Sequence, residues 1–331
     1  MYESLGISLA LAALLTINAV ASLAAAGLWR LLAMPMRRCS ARTWAEVLFA
    51  MRVGPPAVAV ICVASLLIPS YLAYEPYSTN EFVSRKLGAL AILSAIGVAL
   101  ALSRGFRSWL ATRSLLRKWL SAATPIQLSE VSIPTFRIPH SFPIIAVVGT
   151  FRPRLFIAER VIESLSQEEM VAAIAHECGH LAARDNLKRT LIRACRDMLA
   201  IVPCGRSIDR AWAEAAESAA DEHAAQRNSD TALNLASALI EIARMVPDGR
   251  RPTLPAGAFI LGDETSGVKG RVKRLIALAG ASRPPQSSAF ISWAERIGLL
   301  ALLAGLIITL TSTHALASLH TAMERVVQLL T

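Results

Sequence analysis

Four long stretches of this 331-residue chain contain no Asp, Glu, Lys or Arg, and they constrain its fold more than any other feature. The stretches are Ser4–Trp29, Val53–Tyr74, Leu87–Ser103 and Ile297–Met323. A helix needs about 20 mostly apolar residues to cross a bilayer core. The third stretch is the shortest, but it is rich in Gly and Ala, which favour close packing between membrane helices. Because the mean hydropathy is +0.47 and 54% of the residues are hydrophobic, we predict a mainly α, multi-pass membrane protein with four transmembrane helices.

Basic residues indicate the side of the membrane on which each loop lies, since Lys and Arg are enriched in cytoplasmic loops. The loop after the first span has one acid, Glu46, against four bases, which are Arg37, Arg38, Arg42 and Arg52. The loop after the second span balances acids and bases, so we expect it outside. Alternation then places the N- and C-termini outside a bacterial cytoplasmic (inner) membrane. The net charge of +10 fits a lipid bilayer as partner, and no motif for direct nucleic-acid binding accompanies it.

The chain divides into three regions on this prediction. Residues 1–103 hold three spans at about 4–29, 53–74 and 87–103. Residues 104–290 form a cytoplasmic α+β domain, and residues 291–331 hold the fourth span, at about 297–318, and a short external tail. Within the domain, residues 104–120 interleave aromatic and basic side chains, which is typical of a helix at the lipid headgroups. Two β-forming runs, 144–148 and 154–158, flank turn residues and predict a hairpin that is a candidate edge for pairing with an extended substrate.

A metal-site motif follows in the middle of a predicted helix. Ser166 and Glu169 form a capping box that starts this helix. His176 and His180 are four residues apart, so they project from one face and can bind one ion. Glu177 lies between them and can act as general base on a water molecule at that ion. A catalytic zinc site has three protein ligands and one open position, so we predict one Zn²⁺ per chain and a zinc metalloendopeptidase.

The third ligand distinguishes the classes of zinc peptidase. A metzincin would need Gly and His at the positions of Ala183 and Asn186, which excludes that class. The remaining arrangement takes a glutamate from a later helix. Glu217 is favoured because Asp221 follows it by one turn, on the same face, and can hold a ligand histidine by a hydrogen bond. Its rivals for the third position are Glu214, Glu222 and His223.

Other residues have predicted supporting roles. Asp185 either hydrogen-bonds a histidine ring or caps the end of the histidine helix. His223 or Arg227 would donate to the oxyanion that develops in the transition state. Further along, the segment Pro247–Gly270 predicts a long loop, and Arg271–Ala279 predicts a basic helix.

Together these segments resemble the BlaR/MecR family of membrane zinc peptidases, which are gluzincins related to the HtpX and CAAX-prenyl-protease group. The segments that carry the resemblance are Arg152–Pro153, Phe156–Ile157, Leu165–Glu169, Ala175–His180, Arg184–Asp185 and Glu217–Asp221. The resemblance covers essentially the whole chain, with three spans before the zinc domain and one after it. It implies that His176, His180 and Glu217 bind zinc and that Glu177 is the general base.

The resemblance also implies a function in signal transduction. The implied function is the regulatory proteolysis of a cytoplasmic transcriptional repressor or of another local protein. Antibiotic-sensing members carry an external penicillin-binding sensor after the last span, where this chain has a short tail. We therefore expect a signal to come through the spans, the short loops, a separate sensor or a homo-oligomer. Two alternatives are a housekeeping quality-control protease of the HtpX type and a non-catalytic signalling scaffold with a structural zinc site.

Overall fold

The computed structural model describes residues 2–32, 39–76, 83–128, 131–195, 205–246 and 267–280, and also 317, 318, 321, 324 and 325. Within the described residues, three helical runs are long and apolar enough to cross a membrane, namely Tyr2–Leu31, Ala41–Tyr74 and Arg85–Leu120. The first three predicted spans lie within them. The predicted fourth span, 297–318, lies outside the described residues except for its last two. Residues 247–266 of the predicted loop lie outside them as well.

The second run starts well before the predicted span at Val53. It consists of α2 (Ala41–Cys62), a π-helical turn (Val63–Leu67) and α3 (Ile68–Tyr74). The Ser40 hydroxyl caps α2 by accepting a hydrogen bond from the Thr43 N–H at 3.3 Å. The π-helical turn lies just before Pro69, which has no N–H to donate to the helical ladder. The first predicted loop is therefore shorter than expected, because its last residues are helical.

The third run is a single helix that extends from the third predicted span into the domain. Helix α1 (Tyr2–Leu32) packs against α2 and α4 (Arg85–Leu120). Helix α4 has 36 residues, so it is about 54 Å long, against about 30 Å for a bilayer core. Near its end Trp119 packs edge-on against Phe156, with ring centroids 5.2 Å apart. The predicted headgroup-level helix, 104–120, is thus the continuation of the third span, since no proline interrupts it.

A four-stranded sheet forms one side of the domain, in the order β1-β2-β4-β3. The strands are β1 (Thr124–Ile126), β2 (Thr135–Ile138), β3 (Ile145–Val148) and β4 (Arg154–Ala158). The predicted hairpin is present as the antiparallel pair β3 and β4, while β2 is parallel to β4. Gly149 has φ +113°, and a side chain there would meet the Arg152 carbonyl oxygen at 2.7 Å, so the hairpin turn requires glycine. Strands β1 and β2 have no counterpart in the sequence prediction because they are short and lie beside prolines.

Six helices complete the described part of the domain. They are α5 (Glu159–Ser164), α6 (Gln167–Ala183), α7 (Asp185–Cys195), α8 (Gly205–Ala225), α9 (Ser229–Met245) and α10 (Gly267–Ala279). Helix α6 packs against β3 on one side and against α8 and α9 on the other, and α10 packs on α8 and α9. Ala172, Ala173 and Ala175 of α6 are buried, so small side chains let these layers approach closely. The elements that carry the metal-site motif are therefore at the centre of the domain.

A hydrophobic cluster between α2 and α8 joins the domain to the apolar helices. Leu48 of α2 and Trp212 of α8 are buried in it. Arg52 and Asp209 connect the same two helices by an ion pair with 2.7 Å between Nε and Oδ1. Helix α8 is thus held against the second apolar run.

Candidate metal centre and catalytic site

Helix α6 places the three residues of the predicted motif in the protein interior. Both hydrogen bonds of the capping box are present: the Ser166 hydroxyl accepts from the Glu169 N–H at 3.2 Å, and the Glu169 carboxylate accepts from the Ser166 N–H at 2.9 Å. Further along, His176, Glu177 and His180 are 0%, 1% and 3% exposed. A glutamate is rarely buried to this degree unless it is paired, so these side chains require partners from other elements.

Glu217 of α8 completes a cluster of three metal-ligating side chains. The Nε2 atoms of His176 and His180 are 3.2 Å apart. Glu217 Oε2 lies 3.7 Å from Nε2 of His176, and Oε1 lies 3.6 Å from Nε2 of His180. A tetrahedral ion with bonds of about 2.0–2.1 Å holds its ligand atoms about 3.3 Å apart. The three side chains therefore have the spacing that one metal ion requires.

A carboxylate holds each histidine through its other ring nitrogen. Asp221 Oδ1 is 3.0 Å from Nδ1 of His176, and Asp185 Oδ2 is 2.7 Å from Nδ1 of His180. Because an ionised carboxylate only accepts hydrogen bonds, both Nδ1 atoms carry a proton and both Nε2 atoms present lone pairs. Two such acceptors 3.2 Å apart repel each other unless a cation lies between them. The residues therefore fit a metal ion, and Asp185 contacts a histidine, which was one of its two predicted roles.

Two arginines of α10 also reach this centre. Arg271 is 1% exposed. Its Nε and Nη2 lie 3.1 and 2.5 Å from the two carboxylate oxygens of Asp221, and its Nη1 lies 2.9 Å from Glu217 Oε2. Arg274 Nη2 is 2.8 Å from Asp221 Oδ2. Burial would raise the pKa of Asp221, but Arg271 and the hydrogen bond to His176 outweigh it and hold that pKa well below its usual range.

Sequence reasoning predicted the basic helix but not the role of its arginines. The available signal is the i, i+3 spacing of Arg271 and Arg274, which places both on one face of α10. The spacing predicts a role for the arginines only once Glu217 and Asp221 are known to be buried opposite that face of α10.

The sequence comparison agrees with this geometry. Residues 146–314, just over half of the chain, match the model of peptidase family M48. The chain belongs to peptidase family M48. Membership indicates a metallopeptidase, and the matched segment contains the whole His176, His180 and Glu217 cluster. Among curated proteins, none matches this M48 chain.

The rival third ligands of this M48 chain lie elsewhere on α8. Glu214 is exposed. The Glu222 carboxylate accepts hydrogen bonds from the Ala41 N–H, with distances of 3.3 and 3.1 Å to its two oxygens, at the start of α2. Within the described part of the chain, the metal-ligating cluster contains Glu217 and none of its rivals, including His223.

His223 and Arg227, the predicted oxyanion donors, lie on a different face of α8 from Glu217, and their role stays a prediction. They follow Asp221 by two and six residues, which places them roughly 200° and 240° around the helix from it. The Cβ of His223 lies beside Gly179, and Arg227 is exposed with its charge acting on Cys178. Helical periodicity thus directs both side chains to a different face of α8 from the one that carries the third ligand.

The pKa values of the ionisable groups at the centre are shifted in different directions. Burial raises the pKa of Glu177 to about 8, an effect that the charge of His180 opposes. Burial and then the charge of Arg271 lower the pKa of His176 to about 3. Burial alone would lower the pKa of His180, but its hydrogen bond to Asp185 and the charges of the nearby acids together outweigh burial, so the pKa is raised. A carboxyl with a pKa near neutrality can both take and return a proton, so Glu177 suits general acid–base chemistry.

Strand β3 forms the edge of the sheet beside the centre. The Val147 N–H donates to Glu177 Oε2 at 3.3 Å, and the Asn186 side-chain amide donates to the carbonyl oxygens of Val147 and Gly149 at 2.9 and 3.2 Å. The other oxygen of Glu177, Oε1, is buried and has no hydrogen-bond partner among the residues described. A groove of about 340 Å³ runs from this edge past His180. Pairing of a substrate with the edge stays a prediction, and it would have to accommodate the bonds that Val147 already makes.

Proposed function

We propose that this M48 chain is a zinc-dependent integral-membrane endopeptidase with a cytoplasmic active site. Its proposed role is regulatory proteolysis of a transcriptional repressor or another local protein. The observation that carries the proposal is the arrangement of a buried Glu177, with one unpartnered oxygen, next to three converging ligand atoms. The resemblance to BlaR/MecR-type peptidases supports the regulatory part.

Zinc is the metal that the donor set favours. Two imidazoles, one carboxylate and a fourth open position are the ligands of catalytic zinc in a class of peptidases. His176, His180 and Glu217 would hold the ion. When bound, zinc would lower the pKa of a water molecule and polarise a peptide carbonyl.

The protein's own residues account for orientation and proton transfer. Val147 fixes Glu177 Oε2 by a backbone hydrogen bond, so Oε1 remains to accept a proton from the attacking water. Glu177 then returns that proton to the nitrogen of the departing amine. Asp221 and Asp185 keep both histidines in the tautomer whose Nε2 faces the ion.

The contact between α8 and α2 supports regulation from the membrane. Helix α8 carries Glu217 and Asp221, and it is joined to α2 by the Arg52–Asp209 ion pair and by the hydrogen bonds from Ala41 to Glu222. Because protein interiors transmit displacement through packed contacts, a shift of the second span would move the helix that carries the third ligand.

The test replaces the proposed base and traps the substrate. Glu177→Gln should keep about one zinc per full-length chain in native membranes but lower kcat by roughly 10²–10⁴-fold, because only proton transfer is lost. Glu168→Gln, an exposed site on the same helix, is the matched control and should leave kcat unchanged. Capture of one regulatory protein by the Glu177→Gln form would support the proposal. Capture of many misfolded membrane proteins would indicate quality control. An unchanged cellular phenotype with no captured substrate would indicate a scaffold, and unchanged substrate processing by the Glu177→Gln form would overturn the protease proposal.

A further inference from the structure

We propose that Arg271 is a positioning residue of the metal centre, whose guanidinium holds the Glu217 and Asp221 carboxylates in the geometry that the ion requires. The inference rests on the metal site of the proposed function, but it does not depend on proteolysis. It also implies that α10 orders the ligands, whereas the motif and its third ligand lie on α6 and α8 alone.

The first support is the geometry of the guanidinium. Nε and Nη2 donate hydrogen bonds to the two oxygens of Asp221, and Nη1 forms an ion pair with Glu217 Oε2 at 2.9 Å. Only arginine offers a rigid planar fork that can bind one carboxylate with two nitrogens and a second carboxylate with the third. Asp221 and Glu217 are one turn apart on α8, so Arg271 ties both to a single point on α10.

The second support is the spacing of the ligand atoms beside Arg271. With the guanidinium in position, the ligand atoms of His176, His180 and Glu217 are 3.2–3.7 Å apart, close to the separation of about 3.3 Å around a tetrahedral ion. One oxygen of Glu217 contacts Arg271 and the other lies toward His180. Arg271 Nη2 also lies 3.3 and 3.4 Å from Nδ1 and Nε2 of His176. The guanidinium therefore contacts two of the three ligands as well as Asp221, which places it where it can order them.

The third support is the cost of the buried charges. Asp221 and Glu217 are 0% and 5% exposed, and a buried carboxylate that loses its cationic partner protonates or turns away. Arg274 contributes less, because it is 35% exposed and contacts only Asp221 among the carboxylates of the centre. Without Arg271 the ordering of the third ligand, and of the carboxylate that holds His176, would be lost.

The experiment measures zinc dissociation constants for the full-length chain in detergent, by competition with a chromophoric chelator. Arg271→Gln should weaken zinc binding by about 10–100-fold, the usual effect of removing a partner of a metal ligand. Lys273→Gln removes the same charge from an exposed site on the same helix and should leave the constant unchanged. Unchanged or tighter zinc binding by Arg271→Gln would overturn the proposal, whether or not the chain proves to be a protease.

A second variant separates geometry from charge and covers the case in which Arg271→Gln does not fold. Arg271→Lys keeps the positive charge but offers one nitrogen in place of three, so we expect weaker zinc binding and an altered absorption spectrum of the Co²⁺-substituted protein. Wild-type affinity and spectrum in Arg271→Lys would overturn the positioning role. In an Asp221→Asn background the effect of Arg271→Gln should shrink to less than about threefold, because coupled residues are not additive; full additivity would count against the proposal.

Discussion

The two histidines of the metal centre are held in different ways. At the His176 corner, Asp221 comes from a distant helix and is itself bound by Arg271 and by a second arginine of α10. At the His180 corner, Asp185 follows the histidine by only five residues, and no arginine contacts it among the residues that the structure describes. The first corner depends on tertiary packing of three helices, and the second on the local path of the chain. Substitutions at the two corners should therefore have different effects on folding stability and on zinc binding.

The largest expected difference is in folding stability. Asp221→Asn removes the carboxylate charge that both arginines contact, and Arg271 is buried, so we expect a loss of about 3–5 kcal/mol in the free energy of unfolding. Asp185→Asn removes one charged hydrogen-bond acceptor near a chain turn and should cost about 1–3 kcal/mol. Thermal or denaturant unfolding of the metal-free chain in detergent, followed by tryptophan fluorescence, measures both. Equal losses in the two variants would show that the arginines add nothing to the His176 corner.

The next effect follows from the close approach of α6 and α8. A side-chain carbon on Gly179 would lie 2.9 Å from the Cα of Ala220, so α8 would have to move. We expect Gly179→Ala to destabilise the chain by about 1–3 kcal/mol and to weaken zinc binding, because Glu217 moves with α8. Since His180 and Asp185 do not depend on α8, their contact should persist.

The matched control for this variant is Gly270→Ala. Gly270 lies in α10 with open space around it, so the substitution should stabilise its helix by about 0.5–1 kcal/mol. Zinc binding that is unaffected in Gly179→Ala would show that the separation of α6 and α8 is not critical for the centre.

The same contrast explains what the sequence could predict. The capping box, the two histidines, the hairpin and the Asp185 contact depend on neighbours within a few residues, and helical or strand periodicity specifies them directly. Glu217 and Asp221 could be chosen because their four-residue spacing is itself a local pattern. Arg271 could not, since its partners lie fifty residues away and its contact depends on how α10 packs.

Two other outcomes have similar physical causes. His223 and Arg227 were predicted near the ligands from their position in the chain, but the helical period directs them to another face of α8. Strand β2 pairs directly with β4, although β3 lies between them in the sequence. Such a nonlocal pairing leaves no recognisable pattern within the four residues of β2.

A smaller effect should appear in the pH dependence of the metal-free chain. The lowered pKa of His176, about 3, makes its contribution to stability rise as pH increases from about 3 to 6.5. The raised pKa of His180 has the opposite sign, since stability is lost as pH rises above 6.5. Glu177, with a pKa raised from 4.5 to about 8, adds to that loss because the native chain holds a proton that the unfolded chain has released.

We therefore expect the thermal midpoint of the chelator-treated chain to fall between pH 6.5 and 8. Glu177→Gln should show a smaller fall, whereas Glu168→Gln should follow the wild type. The same fall in Glu177→Gln would mean that the carboxyl of Glu177 does not titrate in this window.

The smallest effect tests whether the His176 corner is connected to the membrane helices. The Glu222 carboxylate binds the Ala41 N–H, where the positive end of the α2 dipole favours a negative charge by about 0.3–1 kcal/mol. Glu222→Gln removes that charge and keeps an acceptor, so we expect a loss of this size and a modest weakening of zinc binding through α8. Glu214→Gln, on an exposed position of the same helix, should have no effect on zinc. If the two variants bind zinc equally well, the contact with α2 only anchors the domain; if Glu222→Gln alone weakens binding, the second span can act on the third ligand.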